Sequence, residues 1–276
     1  MKNKIFLLVI FVQIAWLAGS QSLPVVERVE KVDLKGFNAR FSPSGKALLL
    51  TDNHFKGLRL YDLQTEKISL NLKNAKGHGA LLTEDEIIFE QFDKDGFYSL
   101  DLESKRTEAV AGHSLHQPAV VMARGQVDVT IDAQESADLR QIVIIHSSEG
   151  ETKIAPLGAQ DYLNVSISDD RSKVLFRVSG YGSFISDLEG NILAELGNVE
   201  FPQWLDEETV VYTIVKDDGY QYLSSDLYVA KWRTGQSSKL VLPKSLIPIY
   251  PDVDGGSQKL VFNTPKGDVY LVTMKD

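Results

Sequence analysis

The chain has 276 residues, 43% hydrophobic and 24% charged, with 29 basic residues against 38 acidic ones and a net charge of −9. That composition supports a globular protein with a sizeable core, and an acidic balance with no basic run excludes the electrostatic footprint of a nucleic-acid-binding surface. The absence of cysteine excludes disulfides, thiolate chemistry and a lipid anchor on a cysteine thioether.

The first 20 residues stand apart. Lys2 and Lys4 make a basic start, Ile5 to Leu17 is apolar except for Gln13, and Ala18-Gly19-Ser20 offers small residues to a signal peptidase. This layout predicts a secretory signal over 1–20, cleaved after Ser20, and one domain over 21–276. An uncleaved anchor is the alternative, although the apolar run is shorter than the roughly 20 residues that a membrane span requires. Loss of Lys2 and Lys4 leaves 27 basic residues against 38 acidic ones, a net charge of −11.

A repeat follows in chain order. The clearest copy runs from Phe41 to Leu63: an apolar strand, a turn, a second apolar strand and a third ending in Leu60-Tyr61-Asp62-Leu63. Equivalent third-strand positions are Asp62, Asp101, His146, Asp187, Lys231 and Met274, spaced 39, 45, 41, 44 and 43 residues apart. A four-stranded propeller blade takes about 40–50 residues. Second strands are expected over Ala47–Thr51, Glu86–Glu90, Val127–Ile131, Lys173–Val178, Thr209–Ile214 and Lys259–Asn263, all rich in residues that fit a pleated, packed surface. Ser42-Pro43-Ser44-Gly45, Thr83-Glu84-Asp85, Ser168-Asp169-Asp170, Asp206-Glu207-Glu208 and Asp254-Gly255-Gly256 supply turn chemistry before five of them. The third unit departs most, with a polar insertion over Gln134–Asp138. The chain ends with the third strand of unit six, and the extended segment Val25–Leu34 is expected to supply its fourth. The expected fold is all-β: a six-bladed β-propeller of four-stranded blades, closed by an N-terminal strand.

Phe41-Ser42-Pro43-Ser44-Gly45-Lys46, an apolar strand, and Leu58-Arg59-Leu60-Tyr61-Asp62-Leu63 resemble the repeat of TolB-type propellers. The later units keep its hydrophobic skeleton and lose its Ser-Pro-Asp-Gly core, while Trp204 keeps a P-x-W start. The resemblance implies a propeller and a periplasmic or secreted place in a bacterial envelope.

Strands of a blade alternate in direction, so the loops between second and third strands share a face with the connections between blades. Binding residues concentrate on such loops. His54, His78, His113 and His116 all fall there, and neutral imidazoles bind transition metals. These four are candidate ligands for a divalent metal, although no complete ligand motif is present; unrelated polar loop residues are the plainer reading. His146 belongs to the opposite face. On the loop face Tyr181, Tyr220, Tyr222 and Tyr250, with Asp93, are candidate ligand-binding residues, because tyrosine offers a large contact area with a polar tip. Asp217-Asp218-Gly219 reads as ordinary turn chemistry.

Two functions follow. The first is a non-enzymatic envelope protein that binds a protein, peptide or glycan through these loops. The second is a metal-dependent lyase or hydrolase of saccharides with a histidine-lined site, motivated by the shared face of the four histidines and by lyases that resemble TolB-type propellers.

Overall fold

The computed structural model describes residues 22–77, 80–110, 129–132, 142–146, 150–254 and 256–275. Every sheet in it is antiparallel. The first holds β2 (Phe37–Phe41), β3 (Ala47–Thr51), β4 (Lys56–Asp62) and β5 (Lys67–Lys76); the second holds β6 (Leu81–Leu82), β7 (Glu86–Glu90), β8 (Phe97–Asp101) and β9 (Thr107–Ala109). The third holds β10 (Val129–Asp132), β11 (Ile142–His146) and β12 (Gly150–Ile154). The fourth holds β13 (Tyr162–Ile167), β14 (Lys173–Val178), β15 (Gly182–Asp187) and β16 (Ile192–Gly197); the fifth holds β17 (Glu200–Trp204), β18 (Thr209–Asp217), β19 (Tyr222–Lys231) and β20 (Ser237–Lys239). The sixth joins β21 (Ile249–Asp254), β22 (Lys259–Asn263) and β23 (Asp268–Lys275) to β1 (Val25–Lys35) from the other end of the chain.

The expectation of six four-stranded blades is therefore corrected. Five sheets are complete four-stranded blades, and the sheet of the divergent third unit has three strands among the described residues. Its second strand, expected over Val127–Ile131, is seen as β10; the insertion Gln134–Asp138 lies outside the described residues. Elsewhere β3, β7, β14 and β22 coincide with the expected second strands, and β18 runs three residues longer than Thr209–Ile214. N-terminal closure is present: Val25 pairs with Lys275, Val29 with Val272 and Lys35 with Asp268.

The repeat is written in side-chain caps. Before the second strands, the Ser42 hydroxyl accepts the Ala47 N–H at 3.1 Å, Thr83 that of Glu86 at 3.1 Å and Ser168 that of Lys173 at 3.0 Å. The Asp206 carboxylate takes the Thr209 N–H in the same place at 2.8 Å. After the third strands, Asp62 accepts the N–H groups of Gln64 and Thr65 at 2.9 and 2.7 Å, Asp101 that of Ser104 at 2.6 Å, and Asp187 that of Asn191 at 2.8 Å. These bonds favour the ionised carboxylates and hold all three below the usual range: the Thr65 backbone bond leads at Asp62, the Ser104 side chain at Asp101 and the Asn191 side chain at Asp187. The aspartate ending Leu-Tyr-Asp-Leu is thus the clamp of the outer hairpin. Gly45, at φ +69°, sits where a Cβ would meet the Asp254 carboxylate at 2.3 Å, so the first and sixth sheets approach through it.

The core lies between neighbouring sheets. Ala39, Phe41, Leu48 and Leu50 of the first sheet pack on Val261 and Val269 of the sixth, together with Val32 of the closing strand. Leu227 and Val229 of the fifth meet Leu260 and Phe262 of the sixth, and Leu175 and Ile185 of the fourth meet Val210 and Tyr212 of the fifth. Leu49 and Leu58 meet Ile87 and Phe89 of the second sheet, and Ile142 and Ile154 of the third meet Phe176 of the fourth. The second strands β3, β14 and β22 bury both faces, each against a different neighbouring sheet, the condition for a radial stack of sheets, while outer strands such as β9 and β20 are largely exposed.

Candidate functional site

The first strand of a blade lies innermost, and four of these strands share one irregularity. A bulge interrupts the pairing between Phe37 and Arg40, Leu163 and Ser166, Glu200 and Gln203, and Ile249 and Asp252. Inside each bulge one residue has positive φ: Asn38 (49°), Asn164 (50°), Phe201 (51°) and Tyr250 (50°). Asparagine tolerates this conformation, whereas for bulky Phe and Tyr it costs on the order of 1 kcal/mol or more. Bulges re-aim side chains at the rims of closed β structures. Two residues further on, Arg40, Ser166, Gln203 and Asp252 hold equivalent register positions in their blades. Arg40 donates to the Ala80 carbonyl at 2.6 Å; burial lowers its pKa, with the Asp252 carboxylate opposing.

Above these strands lies an open cleft of about 840 Å³. Phe37 borders it as the first residue of β2, where the connection from β1 ends, and Asn53, His54 and Phe55 from the loop between β3 and β4. Tyr220, Gln221 and Tyr222 come from the β18–β19 hairpin, Ser245 to Ile247 from the link into the sixth sheet, and Thr264 to Lys266 from the β22–β23 loop. All are second-to-third loops or blade connections, as alternating strand direction requires.

Tyr250 is the centre of the aromatic wall. Its ring lies 6.5 Å from that of Phe55, nearly perpendicular at 82°, and 4.5 Å from that of Phe201. The Tyr222 pKa is pushed up to about 12, first by burial and then by the neighbouring Tyr250, Glu200 and Asp217. Glu200 is ion-paired with Arg177, yet burial still raises its carboxyl. Tyr220 is 98% exposed at the hairpin tip. Asp217 and Asp218 cap that tip, accepting the N–H groups of Gly219 and Tyr220 at 2.9 Å each, which is turn chemistry as expected.

Of the candidate residues, the structure brings Tyr220, Tyr222, Tyr250 and His54 to the cleft. Tyr181 is 60% exposed on the corresponding loop of the fourth sheet, away from the cleft lining. Asp93 accepts the Asn74 amide at 2.5 Å in the loop of the second sheet, also away from it. His78, His113 and His116 lie outside the described residues, so the proposed metal set is represented by His54 alone. Among the described residues no three His, Asp or Glu side chains form a group suited to a metal ion. Phe37, Phe55, Lys266, Asp268 and Tyr270 were not anticipated. Phe55, beside His54 in the same loop, could have been found by the loop rule; Tyr270 and Asp268 sit on a strand and carry no local signal.

No protein-family profile and no curated protein sequence matches the chain. Solved structures do. A putative TolB from Agrobacterium tumefaciens is 14% identical, with a TM-score of 0.55 over 92% of this chain and 99% of that one. TolB from Acinetobacter baumannii is 16% identical, with a TM-score of 0.54 over 77% of this chain and 54% of that one, so the chain spans about half its length. An oligogalacturonate lyase from Vibrio parahaemolyticus is 11% identical, with a TM-score of 0.51 over 91% of this chain and 97% of that one. Identities this low speak for the fold alone, and that fold is a TolB-like β-propeller.

Proposed function

We propose that this protein is an exported, non-enzymatic propeller that binds a protein, peptide or glycan in the aromatic cleft. One observation carries the reading: aromatic side chains from the first, fifth and sixth sheets converge on one open cleft, and two of them, Phe55 and Tyr250, have left-handed backbone at φ 55° and 50°. Strain of that kind persists where the surrounding structure enforces it, and it clusters at ligand sites. Rings offer area at small entropic cost and suit both sugars and peptides. Export to a bacterial envelope rests on the basic-then-apolar start over 1–20 and on the TolB-like fold. No helix among the described residues is long and apolar enough to cross a membrane.

The test is a screen of the purified protein against a random peptide library and a glycan array, with hits re-measured on Tyr220→Ala. Tyr220 makes almost no contact with the body, so its loss leaves the fold intact. Hits should weaken by about tenfold, the scale of a lost aromatic contact; hits indifferent to the substitution remove the site from the cleft. The saccharide-enzyme reading is separated by soaking the protein in manganese or zinc and measuring retained metal: one equivalent per chain would support it.

A further inference from the structure

The fifth sheet differs from its neighbours in the length of its central hairpin. β18 and β19 pair from Thr209–Lys231 to Asp217–Tyr222. The inner strand β17 reaches only to Thr213, paired with Glu200, and the outer strand β20 stops level with Tyr228, extended by one bond from the Leu240 N–H to the Leu227 carbonyl. Four residues of β18 therefore run on beside β19 alone, a projection of roughly 13 Å at about 3.3 Å per residue. A strand paired on one side directs the N–H and C=O of every second residue outward. On β18 that open edge continues the line of β17, the innermost strand of its blade.

The two faces of the projection differ. Val211 and Leu227 pack towards the sixth sheet, and Val210 and Tyr212 towards the fourth. By alternation Val215 shares the side of Val211, towards the sixth sheet, and the exposed Ile214 looks the other way; beyond an irregularity in the pairing between Lys216 and Asp217, Tyr222 lines the cleft. Across the cleft, Lys266 and Asp268 line the wall, and two further lysines stand behind Asp268. Asp268 is met by Lys31 at 2.9 Å and by Lys35 at 3.9 Å, with Lys266 close enough to act on it electrostatically. Three lysines around one carboxylate stand out on a chain of net charge −9.

Resting on the cleft reading above, we propose that the ligand is an extended polypeptide strand with acidic side chains that adds to the free edge of β18. Its backbone answers the open N–H and C=O groups, as in strand addition elsewhere. Side chains of one parity enter the aromatic cleft, those of the other parity pass over Ile214, and its carboxylates meet the lysines around Asp268. A carboxylated sugar would satisfy the lysines but leave the strand edge unanswered. The protein's overall negative charge opposes such a partner only weakly, because charges beyond about 8–10 Å are screened at physiological salt.

The test measures binding of an acetylated octapeptide alternating Glu and Val by fluorescence anisotropy. Its Lys-Val counterpart, its alternately N-methylated form and an oligo-uronate of similar length serve as comparisons. The Glu-Val peptide should bind at least about tenfold more tightly than the Lys-Val peptide, lose about tenfold when N-methylated, and lose a similar factor on Lys35→Glu/Lys266→Glu. Equal binding of the N-methylated peptide, preference for Lys-Val or the oligo-uronate, or no Glu-Val binding up to about 1 mM overturns the proposal. If any of these comparison ligands binds and depends on Tyr220, the cleft reading survives while strand addition fails; if a ligand binds regardless of Tyr220, both fail.

Discussion

Ring closure by β1 makes a quantitative prediction. Val32 is 7% exposed and sits between the first and sixth sheets against Phe41, Leu48, Val261 and Val269. Val32→Ala removes the equivalent of two methylenes, about 1.6 kcal/mol of transfer free energy at ~0.8 kcal/mol each. The site is walled by two sheets and collapses poorly, so a cavity term brings the total to roughly 2–3 kcal/mol. For a domain of this size each kcal/mol moves the melting temperature by about 2–4 °C, giving a fall of roughly 4–12 °C. Glu30→Gln on the same strand is the control: Glu30 is exposed, its bond to Arg28 is a surface pair, and the change should stay within about 0.5 kcal/mol. Urea unfolding of both variants, followed by tryptophan fluorescence, measures the difference. Equal midpoints for Val32→Ala and Glu30→Gln would mean that β1 is not docked in solution, and the closed ring would be lost as an explanation.

Tyr250→Asn should leave stability within about 1 kcal/mol, because Asn38 and Asn164 already occupy equivalent left-handed positions and relief of strain offsets the lost rings; ligand binding should fall at least about tenfold. A cooperative unfolding transition that disappears in this variant would refute the equivalence of the bulges. Asp62, Asp101 and Asp187 have folded-state pKa values below the ordinary aspartate value of 3.8, so the stability they contribute is present above that pH and drains as pH falls through their lower folded values. The triple Asn variant, which keeps cap acceptors but cannot ionise, should flatten the acid limb of a stability–pH curve; an unchanged limb contradicts the cap assignment. In the alkaline direction Tyr222, raised to about 12, contributes stability that is full below 10 and lost as pH rises through 12. Burial raises Tyr61, Tyr162 and Tyr212 as well, so ultraviolet titration should show several late tyrosinates, one of which, at about 12, disappears in Tyr222→Phe; a late amplitude unchanged by the substitution refutes the assignment.

Much of the architecture can be read along the chain because its causes are local. Short runs of apolar, strand-favouring residues place β3, β7, β14 and β22, and a serine, threonine or aspartate a few residues before a strand caps the turn that starts it. Even closure by Val25–Leu34 follows from a missing fourth strand and an unpaired extended segment. The loop rule found His54, Tyr220, Tyr222 and Tyr250 on one face because strand direction alternates whatever the side chains are. It included Tyr181 and Asp93 equally, since a rule about faces contains no angle around the ring.

Tertiary structure decided the rest. Tyr250 meets Phe55 and Phe201 across chain separations of 195 and 49 residues, and such proximity depends on which blades close beside each other. The left-handed turns at Phe201 and Tyr250 go against the preferences of those residues, so only the bulge imposed by neighbouring strands could place them. The same holds for the lysines gathered on Asp268: Lys31 and Lys35 arrive from the amino end of the chain, and what brings them there is backbone pairing between β1 and β23 rather than any attraction visible in the order of the residues.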